Sequence, residues 1–217
     1  MTLESGKTLG GIGAILLLVG GIFFLLQPLI TLCIGFVGAL LILFGLKSLA
    51  DYYKQNGIFT NGLYGFITLF AGAVVSLAGF AYLFFYTSTI DDLVAVLYPG
   101  FNGDWSKLTD LTAKTNVTYA EVSPYLGPIF AVLIVIWIFV IVTSFFTWRS
   151  LKTVSSKSGV GLFSTAGLLM LIGAVIPVFG LILMVIAVLL MAIAFFQLKP
   201  QPEQPVAAVM PAPSPTV

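Results

Sequence analysis

Two stretches of this chain are free of charge over lengths that a single element cannot use. Thr8 to Leu46 runs 39 residues without Asp, Glu, Lys or Arg, and Gly161 to Leu198 runs 38. At about 1.5 Å per residue either would make a helix of about 60 Å, twice the roughly 30 Å of hydrocarbon in a bilayer, so each must turn back. Gln27-Pro28 is the expected turn in the first, because Gln27 is its large polar side chain and proline ends or restarts helices; Pro177 and Gly180 mark the turn in the second. Two shorter apolar stretches, 62–86 and 126–148, are each long enough to cross once. The pattern therefore predicts six spans, at about 8–26, 29–46, 62–86, 126–148, 161–176 and 178–198. A cleaved leader fits the first stretch poorly, since Lys7 is its whole charged region and no small-residue cleavage pattern follows.

The polar intervals predict less. In the loop 87–123, Ile90, Leu93, Val94, Leu97 and Tyr98 share one helical face, with Ser88 or Thr89 as cap and Pro99-Gly100 as stop. A turn or two after Asp104 would gather Trp105, Leu108 and Leu111. Asn116-Val117-Thr118 in the same loop is a glycosylation sequon. From 199 to 217 the composition shifts to Pro, Gln and Ala, which predicts an extended, disordered tail.

The apolar segments resemble one another. A shift of 52 lays Thr8, Gly10, Gly13 and Gly20 on Thr60, Gly62, Gly65 and Gly72, and a shift of 153 lays Ser5, Gly6 and Gly20 on Ser158, Gly159 and Gly173. The even-numbered spans end alike, in Leu46-Lys47, Leu151-Lys152 and Leu198-Lys199. These matches predict an internal threefold repeat of helical hairpins. Within it the pattern G-x-x-G-x6-G occurs at Gly10, Gly13 and Gly20, at Gly35, Gly38 and Gly45, and at Gly62, Gly65 and Gly72. Offsets of three and ten place these glycines near one helix face, where another backbone can approach closely. Ile at Gly13 should force helices apart, whereas a methyl is expected to fit.

Composition then limits the chemistry. The chain is 59% hydrophobic and 8% charged, far below the charge content of a soluble domain. Histidine is absent and Cys33 is the single cysteine, so the commonest general base, the commonest metal ligand and any intrachain disulfide are missing. No catalytic, cofactor-binding or metal-binding constellation is visible, nothing points to nucleic acid, and the chain is expected not to be an enzyme. The predicted spans contain no Asp, Glu, Lys, Arg or His, unlike those of pumps and proton-coupled carriers. Their polar groups, including Thr68, Ser76, Thr143, Ser144 and Thr165, are expected to bond between helices, and Trp137 to donate to a neighbouring helix. Lys7, Lys47, Lys54, Arg149, Lys152, Lys157 and Lys199 fall on one side of a six-span arrangement, Lys107 and Lys114 on the other. The positive-inside bias then makes both termini cytoplasmic in a plasma-membrane protein and turns the 87–123 loop outward. Lys47, Lys54, Lys152 and Lys157 are the candidate contacts for anionic lipid headgroups.

Leu3-Glu4-Ser5-Gly6-Lys7-Thr8-Leu9-Gly10-Gly11-Ile12-Gly13-Ala14 resembles the opening of a mostly archaeal family of uncharacterised membrane proteins, the domain of unknown function numbered 996. Leu151-Lys152-Thr153, Ser158-Gly159, Phe163 and Thr165-Ala166-Gly167-Leu168-Leu169 are similar to later parts of it. The resemblance covers nearly the whole chain short of the tail, implies a multi-span protein, and carries no activity or site residues. The expectation is thus an all-α integral membrane protein of about six helices in three hairpins, with a short partly helical outer loop. It would associate through its glycine faces as a homo-oligomer or in a membrane complex, as a scaffold, assembly factor or accessory subunit. The alternative is a passive channel or binding site for a small neutral or amphiphilic solute.

Overall fold

The computed structural model describes residues 2–23, 28–176 and 179–200, and among them every regular element is helical. Helices α1 (Leu3–Phe23) and α2 (Pro28–Tyr52) pack lengthwise against each other, and Pro28 opens α2, where a missing N–H costs nothing. Helix α3 (Asn56–Ala81) continues as a π-helical turn over Tyr82–Tyr86, in which the Thr87 N–H bonds the Tyr82 carbonyl. Helix α4 (Thr89–Leu97) and a 3-10 turn (Trp105–Asp110) lie in the loop before α5 (Tyr119–Ser158), which packs along α3. Helices α6 (Leu162–Val175) and α7 (Phe179–Phe196) pack on each other, α6 also on α5 and α7 also on α1.

Five helical stretches are long and apolar enough to cross a membrane: Leu3–Gly21, Leu32–Tyr52, Asn56–Tyr86, Tyr119–Ser158 and Phe179–Phe196. The sixth apolar helix, Leu162–Val175, has 14 residues and falls short of the usual length. The helices also overrun the expected spans. Arg149, Lys152 and Lys157 all ride on α5 rather than in a connection, and Lys47 and Asp51 on α2. Charge stops a hydrophobic stretch but not a helix, since long straight side chains are good helix formers in water. The expected breaks at Gln27 and Pro177 lie outside the described residues, as does the tail beyond Pro200.

One buried cluster ties the ends together. Leu3 of α1, Leu46 and Leu49 of α2, Ile58 of α3, Leu151 and Val154 of α5, Phe163 of α6, and Phe195 and Leu198 at the end of α7 belong to it. Helix starts and helix ends thus converge at one pole, and the seven basic residues surround that pole. The opposite pole carries α4, the 3-10 turn, Lys107 and Lys114.

Local hydrogen bonds shape that far pole. Neither Ser88 nor Thr89 caps α4 as expected: Ser88 is left-handed with φ 51, and the Thr89 hydroxyl lies 2.6 Å from that of Thr87. The 3-10 turn is held by Asp104, whose Oδ1 accepts from Ser106 N at 3.1 Å, and by Trp105, whose Nε1 donates to Asp91 Oδ1 at 3.1 Å. Helix α5 begins with a Thr-x-x-Glu signal, in which Glu121 Oε2 accepts the Thr118 N–H at 3.0 Å. Pro124 cannot donate to the Ala120 carbonyl, and the Ser123 hydroxyl reaches that carbonyl instead at 3.4 Å.

Candidate functional site

The nine glycines singled out by sequence have unequal surroundings. A Cβ added to Gly13 would stand 2.6 Å from the Gly38 carbonyl oxygen, and one on Gly38 2.8 Å from the Gly13 oxygen, so α1 and α2 touch backbone to backbone. Gly45 stands against Gly10 in the same way, at 2.7 Å from its nitrogen, while Gly10 itself also lies under the Phe195 ring. On α3, Gly62 meets Leu46 and Ser150, Gly65 meets Thr147, and Gly72 meets Phe139 of α5. Gly20 is buried. Gly35 differs: its nearest neighbour is the Leu17 Cδ2 at 4.0 Å, because the Leu17 side chain fills the space that a closer backbone would take elsewhere.

Six further glycines make tight contacts that the G-x-x-G-x6-G pattern does not include, among them Gly11 against the Phe196 ring. Gly6 meets Leu49, Gly79 meets Val132, and Gly167 stands 3.0 Å from the Trp148 Cα. Gly173 and Gly180 press on each other across the start of the α6/α7 pair, Gly180 directly on the Gly173 carbonyl oxygen. Seven-residue spacing from Gly72 would have pointed to Gly79. Gly173 and Gly180 are also seven residues apart, but they lie on different helices, α6 and α7, so spacing along one helix face does not account for their contact.

The polar groups in the apolar helices bond mainly to their own helix, contrary to expectation. Thr68 donates to the Tyr64 carbonyl, Ser76 to Gly72 O at 2.6 Å and Thr165 to Gly161 O at 3.4 Å. Such i to i−4 bonds satisfy a hydroxyl without any partner helix. Bonds across helices also occur among the described residues. Trp137 Nε1 donates to Ala174 O at 2.7 Å, as its mid-span position predicted, and the fully buried Ser150 donates to Ile58 O at 2.7 Å. Ser150 escaped the sequence reading because it sits between two charged positions that resemble a connection.

Between α3 and α5 lies a groove of about 180 Å³, lined among others by Thr68, Gly72, Ala73, Ser76, Phe139 and Thr143. The Thr143 hydroxyl oxygen is buried there without a hydrogen-bond partner. A second, open recess of about 590 Å³ occupies the basic pole, lined by Ser158, Gly159, Val160, Gly161, Gln197 and Lys199.

At that pole the four candidate headgroup lysines are exposed around the buried cluster and do not line a closed site. Lys47 Nζ lies 5.9 Å from the centre of the Phe59 ring and Lys152 Nζ 5.1 Å from that of Trp148, while Lys54 occupies the α2–α3 turn with φ 51. Lys157 lies on the last turn of α5. Beside Lys54, burial pushes the Tyr53 hydroxyl above its ordinary pKa, the neighbouring Tyr52 adds to the shift, and the Tyr53 oxygen has no hydrogen-bond partner. Among the described residues no group of three His, Cys, Asp or Glu side chains is placed to hold a metal ion.

No curated protein and no solved structure matches the chain. A family pattern does match, over residues 34–194, from the first turns of α2 to the last turn of α7. The segments at 151–153, 158–159, 163 and 165–169 fall inside it, whereas the glycine-rich opening at 3–14 falls outside, so the match is shorter than the resemblance implied. The chain belongs to the family of proteins of unknown function DUF996.

Proposed function

We propose that this protein is a six-span plasma-membrane protein built as three hairpins, α1/α2, α3/α5 and α6/α7, with both termini cytoplasmic. It acts without catalysis, by helix association, as a scaffold, assembly factor or accessory subunit. The observation that carries this reading is unequal burial. Among the candidate crossing stretches, 39% and 44% of the most apolar window is buried inside the chain for Leu3–Gly21 and Leu32–Tyr52, against 11% and 6% for Asn56–Tyr86 and Tyr119–Ser158. The α1/α2 glycines are engaged within the chain, so the free face is that of α3 and α5. There Gly72, Ala73 and Ser76 leave a shallow groove into which the side chains of another membrane helix can fit. Lys47, Lys54, Lys152 and Lys157 at the basic pole hold anionic headgroups and fix the depth of the bundle.

A second reading rests on the buried Thr143 hydroxyl, which lacks a partner in that same groove. A small amphiphilic solute that accepts or donates one hydrogen bond between two apolar walls would satisfy it.

Native purification of the full chain from its own membranes, with proteomics, separates the two. Association predicts a stoichiometric partner or a homo-oligomer that is lost in Ala73→Trp, an exposed groove position, with the melting temperature unchanged. A strictly monomeric protein with nothing co-purifying counts against association. Solute flux or binding in reconstituted liposomes, blocked by the same variant, would promote the second reading over the first.

A further inference from the structure

Asn116-Val117-Thr118 is a motif that the association reading leaves without a role. All three residues are exposed, in the irregular stretch between the 3-10 turn and α5. The Asn116 amide has no hydrogen-bond or ionic partner among the described residues. The chain on either side is tethered: Lys114 N donates to Leu97 O at 2.7 Å, Lys114 Nζ lies 2.6 Å from Glu121 Oε1, and Glu121 Oε2 accepts from Thr118 N. Asn116 is therefore a free side chain at the crest of an anchored strap.

Its height above the apolar helices can be read from the α3–α5 register. Gly62 meets Ser150, Gly65 meets Thr147, Gly72 meets Phe139 and Gly79 meets Val132, so each step along α3 matches an equal step back along α5. Tyr82, Phe85 and Tyr86, which are 50%, 88% and 81% exposed, form an aromatic band of the kind found at membrane interfaces. By the same register Tyr86 is level with residues 125–126. Residues 119–125 of α5 then stand beyond that band, about 10 Å of helix at 1.5 Å per residue, and Asn116 precedes them in the exposed stretch that leads into α5.

We propose that Asn116 is an N-glycan acceptor, modified on the face opposite the basic pole by a membrane oligosaccharyl transferase that uses a lipid-phosphate-linked oligosaccharide. The proposal rests on the outward placement of the 87–123 loop. In the transfer the Asn116 Nδ2 forms a bond to the anomeric carbon, the bond from that carbon to the phosphate oxygen breaks, and the amide proton leaves with the lipid phosphate. The hydroxyl of Thr118 is the recognition element two residues on.

Translation of the full chain into microsomes tests this, with cysteine labelling as an independent topology readout. The wild type and Thr118→Ser should show one glycosidase-sensitive mobility step, and Asn116→Gln and Thr118→Ala should show none. Thr118→Ser keeps an N-cap hydroxyl as well as the sequon, so it separates loss of the acceptor from loss of local structure. A cysteine at Thr112 in a Cys33-free background should be labelled from the lumenal side. If Thr112 is labelled and no mobility step appears, the acceptor assignment is wrong while the outward loop stands. If Thr112 is shielded, the topology itself is wrong and the proposal falls with it. A step that survives in Asn116→Gln also overturns it.

Discussion

At Gly13 an added methyl would meet the Gly38 oxygen at 2.6 Å and the Ile42 nitrogen at 2.7 Å, and neither atom belongs to a side chain that can turn away. At Gly65 the nearest atom is the Thr147 Oγ1 at 3.1 Å, which can give by a few tenths of an ångström. Alanine should therefore separate the two sites, although sequence alone predicted that a methyl fits at Gly13. We expect Gly13→Ala to lose about 1–3 kcal/mol, as overpacking does, and Gly65→Ala to be near neutral because the helix propensity gain of up to about 1 kcal/mol offsets the small shift. Melting curves in detergent decide; a Gly13→Ala protein as stable as the parent would mean that α1 and α2 do not touch there. Trp137 is the converse case, where the residue was legible as a donor but its acceptor was not. Helix α6 ends at Val175, so the Ala174 carbonyl belongs to a last turn short of helical donors, a fact that depends on where the helix stops. Trp137→Phe keeps the ring and removes the N–H, and should cost about 1–2 kcal/mol in the same assay. A variant as stable as the parent would assign no energetic role to that bond.

Among the elements, the apolar helices were readable from the absence of charge, and their ends were not. Helix α5 has 40 residues where 126–148 was expected. At its start the Thr118-x-x-Glu121 signal was available in the sequence; at its end nothing local distinguishes helical Arg149 and Lys152 from the same residues in a turn, and only burial of Leu151 and Val154 in the common core settles it. The outer loop shows the reverse. Its amphipathic α4 and a turn after Asp104 were both expected, and the Asp104 carboxylate is one of the groups that hold that turn. Hydrogen bonds from the Ser106 hydroxyl, from Lys107 and from the Ser106 N–H, in that order of effect, hold the Asp104 carboxyl below the usual range. A lowered folded-state pKa means that the carboxylate's contribution is present above the unfolded pKa and is lost as pH falls through the folded one. Hydrogen exchange at the Ser106 amide should therefore stay slow at neutral pH and lose protection on acidification below the ordinary aspartate range, with Asp104→Asn losing protection at neutral pH as well. Once corrected for the intrinsic pH dependence, protection that is flat down to strong acid would show that Asp104 does not hold the turn.

For the whole molecule, the three Leu-Lys endings acquire a shared physical meaning. Leu46, Leu151 and Leu198 are 3%, 0% and 1% exposed in one cluster, and the lysine after each is exposed. Such a cluster can form only if α2, α5 and α7 end at the same pole, which requires an even number of passes between those ends. Gly13 and Gly65 contact the next long helix along the chain, and Gly173 contacts α7, although which helix partners which was not legible from glycine spacing alone. The weak point is α6, whose 14 residues would cover about 21 Å at 1.5 Å each, less than the hydrocarbon thickness. If the pair crosses fully the termini share one side, whereas if the last apolar run were a single bent span, Lys199 would lie on the far side. Single cysteines in a Cys33-free background distinguish these topologies, with an impermeant thiol reagent applied to intact cells. Thr2 and Ser156 are exposed at the basic pole and Thr112 is exposed at the other, while Ser214 reports on the tail. Six spans predict that Thr2, Ser156 and Ser214 are shielded and Thr112 is labelled. Labelling at Ser214 with protection at Thr2 would mean five spans, and it would also be incompatible with Leu198 sharing a core with Leu3, because the two ends of the bundle would then face opposite sides of the membrane.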